Sequence, residues 1–126
     1  MIVLVAASIA SLAHIVFFVL ESLLWTKPIG RRIFGTTAAD AETIRFMAFN
    51  QGFYNLFLAI GAATGVLLAS TGRPAMGLPL VAFACACMLG AAMVLATGGK
   101  RLARGVALQG LPPLVALVAL VVDGLR

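Results

Sequence analysis

Apolar residues fall into four long runs separated by short polar breaks. The first run extends from about Ile2 to Trp25. The second covers about 43–70 and enters its most apolar part near Arg45. The third runs from about Gly77 to Thr97, and the fourth from about Ala103 to Val122. A helix rises about 1.5 Å per residue, so about 20 apolar residues cross a hydrocarbon core about 30 Å thick. Each run is long enough for one crossing. The pattern predicts an all-α polytopic membrane protein, with four transmembrane helices in an up-down bundle forming one domain over residues 1–126. No internal repeat interrupts it. The breaks carry turn residues such as Ala96-Thr97-Gly98 and Gly98-Gly99-Lys100.

The one long connection, Thr26 to Ile44, has structure of its own. Thr37-Ala38-Ala39-Asp40 resembles a capping box, which starts the second helix near Ala38, before it reaches lipid. Ile29-Gly30-Arg31-Arg32-Ile33-Phe34 mixes bulky apolar and basic side chains and is expected to lie on the membrane surface.

Composition agrees with the pattern. Hydrophobic residues are 63% of the chain and charged residues 10%. Soluble domains carry about 25% charged residues, so a water-soluble fold is excluded. The net charge of +5 would point to nucleic acid in a soluble protein. Here the basic residues cluster at the ends of apolar runs, so no nucleic-acid partner is expected. Lys27, Arg31, Arg32, Arg45, Lys100, Arg101 and Arg104 fall on one side, against Arg73 and Arg126 on the other. Basic loops stay in the cytoplasm, which turns both termini outward in a bacterial inner membrane. The first run lacks a basic start and is too long for a signal peptide, so it reads as a retained helix. Cys85 and Cys87 point about 200° apart on a helix and serve as small apolar filler.

In lipid, every polar side chain needs a reason. With Trp25, Arg45 and Arg104 taken as interface markers, Glu21 lies roughly 6 Å deep, and Asn50 and Gln109 roughly 7–8 Å. Gln51 is one residue deeper than Asn50. His14 and Asn55 fall roughly 15–16 Å down, near the bilayer centre. His14 and Glu21 are seven residues apart and share a stripe with Phe18 and Trp25. Asn50 aligns with Tyr54, and Gln51 with Asn55. An ionised carboxylate at the centre of a membrane helix costs about 2.5–3.5 kcal/mol on insertion scales, and less near the interface. Glu21 is therefore expected to face inward and to be hydrogen-bonded, protonated or paired, with Asn50, Gln51, Gln109 or Arg45 as partners. Pro113 leaves the Gln109 carbonyl without its helical donor, and Pro112 does the same to Leu108. The plainer reading is that these amides are interhelical glue, worth about 0.6 kcal/mol per bond. Trp25 reads as an interfacial anchor. Gly61-Ala62-Ala63-Thr64-Gly65 is a GxxxG motif and a weak signal for a homodimer. Gly52 is placed to let another helix approach the polar residues. No third ligand accompanies His14 and Glu21, so no metal site is expected.

His14, Glu21, Trp25, the segment Asn50-Gln51-Gly52-Phe53-Tyr54-Asn55 and Gln109-Gly110-Leu111-Pro112 together resemble a family of small bacterial membrane proteins, known as domain of unknown function thirteen hundred and four. The resemblance covers nearly the whole chain. It implies four membrane helices and importance for these positions, and supplies no reaction. A weaker likeness is to the small multidrug transporters, which carry one glutamate in a first helix of four. Glu21 lies nearer the interface than a midplane carboxylate, and the Asn-Gln-Gly segment is foreign to that family.

The expected site is an intramembrane pocket, open toward the cytoplasmic leaflet, for a small amphipathic or lipid-like molecule. Glu21, Asn50, Gln51 and Gln109 bond its head, and His14, Tyr54 and Asn55 line the deeper end. Glu21 and His14 are the candidate acid/base pair should a reaction occur. Two alternatives stand beside it. One is an accessory subunit of a larger membrane complex. The other is proton-coupled export of a hydrophobic cation through Glu21.

Overall fold

The computed structural model describes residues 1–124, without the side chain of Arg101. Arg126, one of the two basic residues counted on the outer side, lies outside the described residues. Helix α1 covers Ile2–Phe18 and continues as a π-helical turn over Val19–Leu23. Two short helices follow, α2 over Pro28–Phe34 and α3 over Ala38–Thr43. Three long ones complete the chain: α4 over Arg45–Ser70, α5 over Pro74–Ala96 and α6 over Ala103–Gly124. Among the described residues, four helical spans, Ile2–Leu23, α4, α5 and α6, are long and apolar enough to cross a membrane. The protein is thus an all-α multi-pass membrane protein.

The first span ends at Leu23 rather than Trp25 and α5 at Ala96 rather than Thr97, and three further boundaries differ from those read in the sequence. Helix α5 starts at Pro74 rather than Gly77, because a proline at the first helical positions gives up no hydrogen bond. Helix α6 runs past Val122 to Gly124. The expected second helix from Ala38 is divided at Ile44, whose φ of −104° and ψ of 13° are not helical. Its N-terminal cap matches the sequence reading. The Thr37 hydroxyl accepts from the Asp40 backbone N–H at 3.1 Å and donates to Asp40 Oδ2 at 2.6 Å.

The chain forms two compact units, whose boundaries fall within α1 and α4. The first comprises Met1–Ala13 and the chain from Leu58 onward. Small residues hold it together, as expected where lipid supplies no hydrophobic drive and close backbone approach gives the packing energy. A Cβ on Gly65 would lie 2.8 Å from the Gly77 carbonyl oxygen, and a Cβ on Gly77 would collide with the Gly65 carbonyl and the Ala69 nitrogen. Helices α4 and α5 therefore touch backbone to backbone. Gly61 also faces α5, at 3.9 Å from the Ala84 Cβ. The GxxxG motif, read in the sequence as a dimer signal, makes its close approach inside the chain. Val3, Ala6 and Ala7 of α1 pack with Val81, Cys85 and Ala116, and Ala10 packs with Ala62, Ala84 and Met88. The Ser11 hydroxyl donates to the Ala59 carbonyl at 2.9 Å. Cys85 is fully buried in this core, and neither cysteine is in a disulfide.

The second unit, His14–Phe57, contains the end of α1, the two short helices and the first half of α4. The Leu24 N–H bonds the Val19 carbonyl, five residues back, at 3.0 Å, which closes the π turn. Trp25 then organises the connection. Its indole N–H donates to the Ala41 carbonyl at 2.9 Å, and its ring lies 4.9 Å from that of Phe34. A side chain on Gly30 would collide with the Leu24 carbonyl, so α2 turns back tightly against the end of the first span. Gly35, at φ 63°, ends α2 in a conformation suited to glycine.

Candidate functional site

The site in the second unit is built where α1 loosens into its π turn. Glu21 lies within that turn and is half-buried. A π turn widens the backbone ring by one residue, so the α-helical spacing that puts Glu21 on the stripe of His14 and Phe18 does not hold through Val19–Leu23. The Asn55 amide, Nδ2, donates to Glu21 Oε2 at 2.7 Å. The next residue, Ser22, donates its hydroxyl to the Phe49 carbonyl at 2.9 Å. Gly52 makes room for both: a Cβ there would collide with Ser22 Oγ and lie 3.2 Å from Glu21 Cβ. Gly52 thus does what the sequence assigned it.

The partner of Glu21 differs from those expected. It is Asn55, rather than Asn50 or Gln51. Arg45 is also not its partner, since Arg45 pairs with Glu42 at 3.3 Å on the exposed surface. Asn50, Gln51 and Tyr54 are exposed, whereas Asn55 is buried. The reason is a difference in helix level. Arg45 precedes Asn55 by ten residues, roughly 15 Å of helix, whereas Trp25 follows Glu21 by four, roughly 6 Å. With Glu21 and Asn55 level, α4 extends roughly 9 Å beyond Trp25, and Asn50 and Gln51 come level with the indole. Arg45 is a poor interface marker because it sits on an overhanging helix.

His14 is fully buried and meets Phe17 edge-on, with ring centroids 5.7 Å apart. It lies seven residues below Glu21, roughly 10 Å by rise, so the candidate acid/base pair is not in contact range. Phe18 and Phe53 stack edge-on at 5.2 Å on the same flank. Gln109, in the other unit, is half-buried on α6 between the exposed Leu108 and the buried Gly110. Sequence reasoning missed Ser22 and Ser11, both of which bond a carbonyl of α4. Their signal was a small polar residue in an apolar run. Among the described residues, no three His, Cys, Asp or Glu side chains gather as a metal site.

A pocket of about 600 Å³ opens beside Glu21. Trp25, Phe46 and Phe49 give it aromatic walls, and Lys27, Glu42 and Arg45 stand around it. Its lining is therefore mixed: aromatic and aliphatic at Leu23, Trp25, Phe46 and Phe49, and polar or charged of both signs elsewhere.

Comparison with known proteins adds no activity. A family described as protein of unknown function (DUF1304) matches residues 8–121. No curated protein and no solved structure is similar to the chain.

Proposed function

We propose, for a chain that belongs to the DUF1304 family and so takes no activity from its name, that it binds a small amphipathic molecule in the pocket beside Glu21. One observation carries this reading. Glu21 is the single acidic residue within the four spans apart from Asp123 near the end of α6, and the pocket opens beside it. Asn55 holds one carboxyl oxygen and leaves the other to a ligand. A head group that donates a hydrogen bond or carries an ammonium suits that oxygen, and the indole and phenyl walls suit both a cation and an alkyl chain. His14 lines no part of this pocket, so the reading is of binding, with Glu21 as the head-group residue and Asn55 holding its carboxyl group from behind.

Trp25 is the one tryptophan of the chain and lines the pocket, so its emission reports occupancy. The test is a titration of the protein in phosphatidylcholine nanodiscs with dodecylamine, dodecanol and dodecanoate. A saturable change with the amine, weaker with the alcohol and lost in Glu21→Leu, supports the reading. A change that is the same for all three, or is kept in Glu21→Leu, sinks it.

A second reading, an accessory subunit, draws on a different observation. Asn50 and Tyr54 lie one turn apart on an exposed face of α4, where a partner protein would bond them. Cross-linking from a photoreactive residue at Tyr54 in whole membranes tests it. Adducts to a distinct protein support it, and adducts to lipid alone oppose it. Export through Glu21 draws less support, because Glu21 lies two residues before the end of its span rather than at mid-membrane.

A further inference from the structure

We infer that a groove between α5 and α6 is a binding site for an anionic phospholipid of the leaflet on the basic-loop side. The groove belongs wholly to the first unit and shares no lining residue with the Glu21 pocket. Its volume is about 560 Å³. Ala92 and Gly110 form its floor, where a Cβ on the glycine would lie 3.0 Å from the Ala92 Cβ. Met93, Leu111 and Leu114 form its apolar walls, and all three are exposed at their outer edges.

Length identifies the occupant. The α6 side of the groove runs from Ala103 to Leu114, all within the helix. Eleven residues rise roughly 16 Å, about half of a hydrocarbon core about 30 Å thick. A groove that starts at the loop and ends near mid-membrane fits the chain of a lipid from one leaflet. A helix from a second copy would need a seam across both leaflets.

Charge identifies the head group. Among the described residues, Lys100 is the charged side chain that lines the groove, and it stands at the loop end, where a head group would sit. Arg104 follows within a turn and is exposed, one residue from Ala103 of the lining. Among the described residues, no acidic one lines the groove. Basic pockets between membrane helices on the loop side attract anionic head groups, and each basic residue near such a surface contributes measurably.

The test uses the full chain in nanodiscs that contain trace photoreactive phosphatidylglycerol or phosphatidylcholine, each with the reactive group in mid-chain. Adducts are mapped by peptide mass spectrometry. Phosphatidylglycerol is expected to label residues 89–96 and 103–114 about fivefold more than phosphatidylcholine, the factor that one basic residue supplies. Lys100→Gln, an exposed loop change that spares the packing, should bring the two lipids to equal labelling. Ala107→Phe should fill the groove and abolish labelling there by both. Equal labelling in the parent chain, or adducts spread evenly over all four spans, overturns the inference. So does a dimer, seen by native mass spectrometry, that Ala107→Phe abolishes, because the groove would then hold a second copy.

Discussion

Asn55 donates a 2.7 Å hydrogen bond to Glu21 and so ties α4 to the loosened end of the first span, 34 residues earlier in the chain. A neutral interhelical bond in lipid averages about 0.6 kcal/mol, whereas a buried polar group left without its partner costs about 1–3. Asn55→Leu removes the donor and leaves the carboxyl group in an apolar setting. We expect a loss of about 1–3 kcal/mol in unfolding free energy for this variant. Glu21→Leu in the same chain should restore much of that loss, since two apolar groups replace a broken polar pair. Denaturation of the detergent-solubilised protein measures both. Equal losses in the single and double variants would mean that the bond contributes little.

How much of this was legible in the sequence depends on the level of structure. The four spans follow from hydropathy and length alone, because the bilayer allows few alternatives. The level of one helix against another does not, because it is set by local fits such as Gly52 on Ser22. Depth counted from Arg45 therefore placed Asn55 near mid-membrane and Asn50 beside Glu21. A better signal was present. Ala48, Gly52, Asn55, Ala59 and Ala62 recur every three or four residues, and this is the buried face of α4. Asn55 is the polar residue on that stripe, while Asn50 and Tyr54 lie off it. The π turn that presents Glu21 had no comparable signature.

Gly52 couples packing to the pocket. Gly52→Ala places a methyl group where Ser22 Oγ now lies and crowds Glu21 Cβ. The expected outcome is a less stable protein with weaker dodecylamine binding by Trp25 emission. Ser22→Ala alone should cost about 0.6 kcal/mol, one interhelical bond. Combined with Gly52→Ala it should recover part of the lost stability, because the collision with the hydroxyl is gone. No recovery would show that the Ser22 backbone, 3.0 Å from the added methyl group, sets the limit.

Trp25 has two attachments that one substitution separates. Trp25→Phe keeps a ring against Phe34 and loses the N–H bond to the Ala41 carbonyl. We expect a cost of about 1 kcal/mol and faster proteolysis within 26–44, with the four spans intact. Trp25→Ala loses both attachments and should be cleaved faster still. Limited proteolysis followed by mass spectrometry reads the order, and equal cleavage in all three chains would show that Trp25 does not hold the connection.

The two glycines of the GxxxG motif should behave unequally, and this separates packing within the chain from dimerisation. At Gly61 an added Cβ meets only the Ala84 Cβ, at ordinary contact distance, so Gly61→Ala should leave stability nearly unchanged. At Gly65 the added Cβ lies 2.8 Å from the Gly77 carbonyl and 2.9 Å from both the Val81 nitrogen and Val81 Cγ2. Backbone on the far side cannot rotate away, so α4 and α5 must separate, and overpacking of this kind costs about 1–3 kcal/mol. Gly77→Ala should cost at least as much, since its Cβ meets the backbone of both Gly65 and Ala69. A dimer seam would instead make Gly61 and Gly65 comparably sensitive and Gly77 indifferent. Thermal unfolding, with monomer content followed by native mass spectrometry, decides between the two patterns. Equal losses at Gly61 and Gly65, accompanied by loss of a dimer, would place the motif between chains.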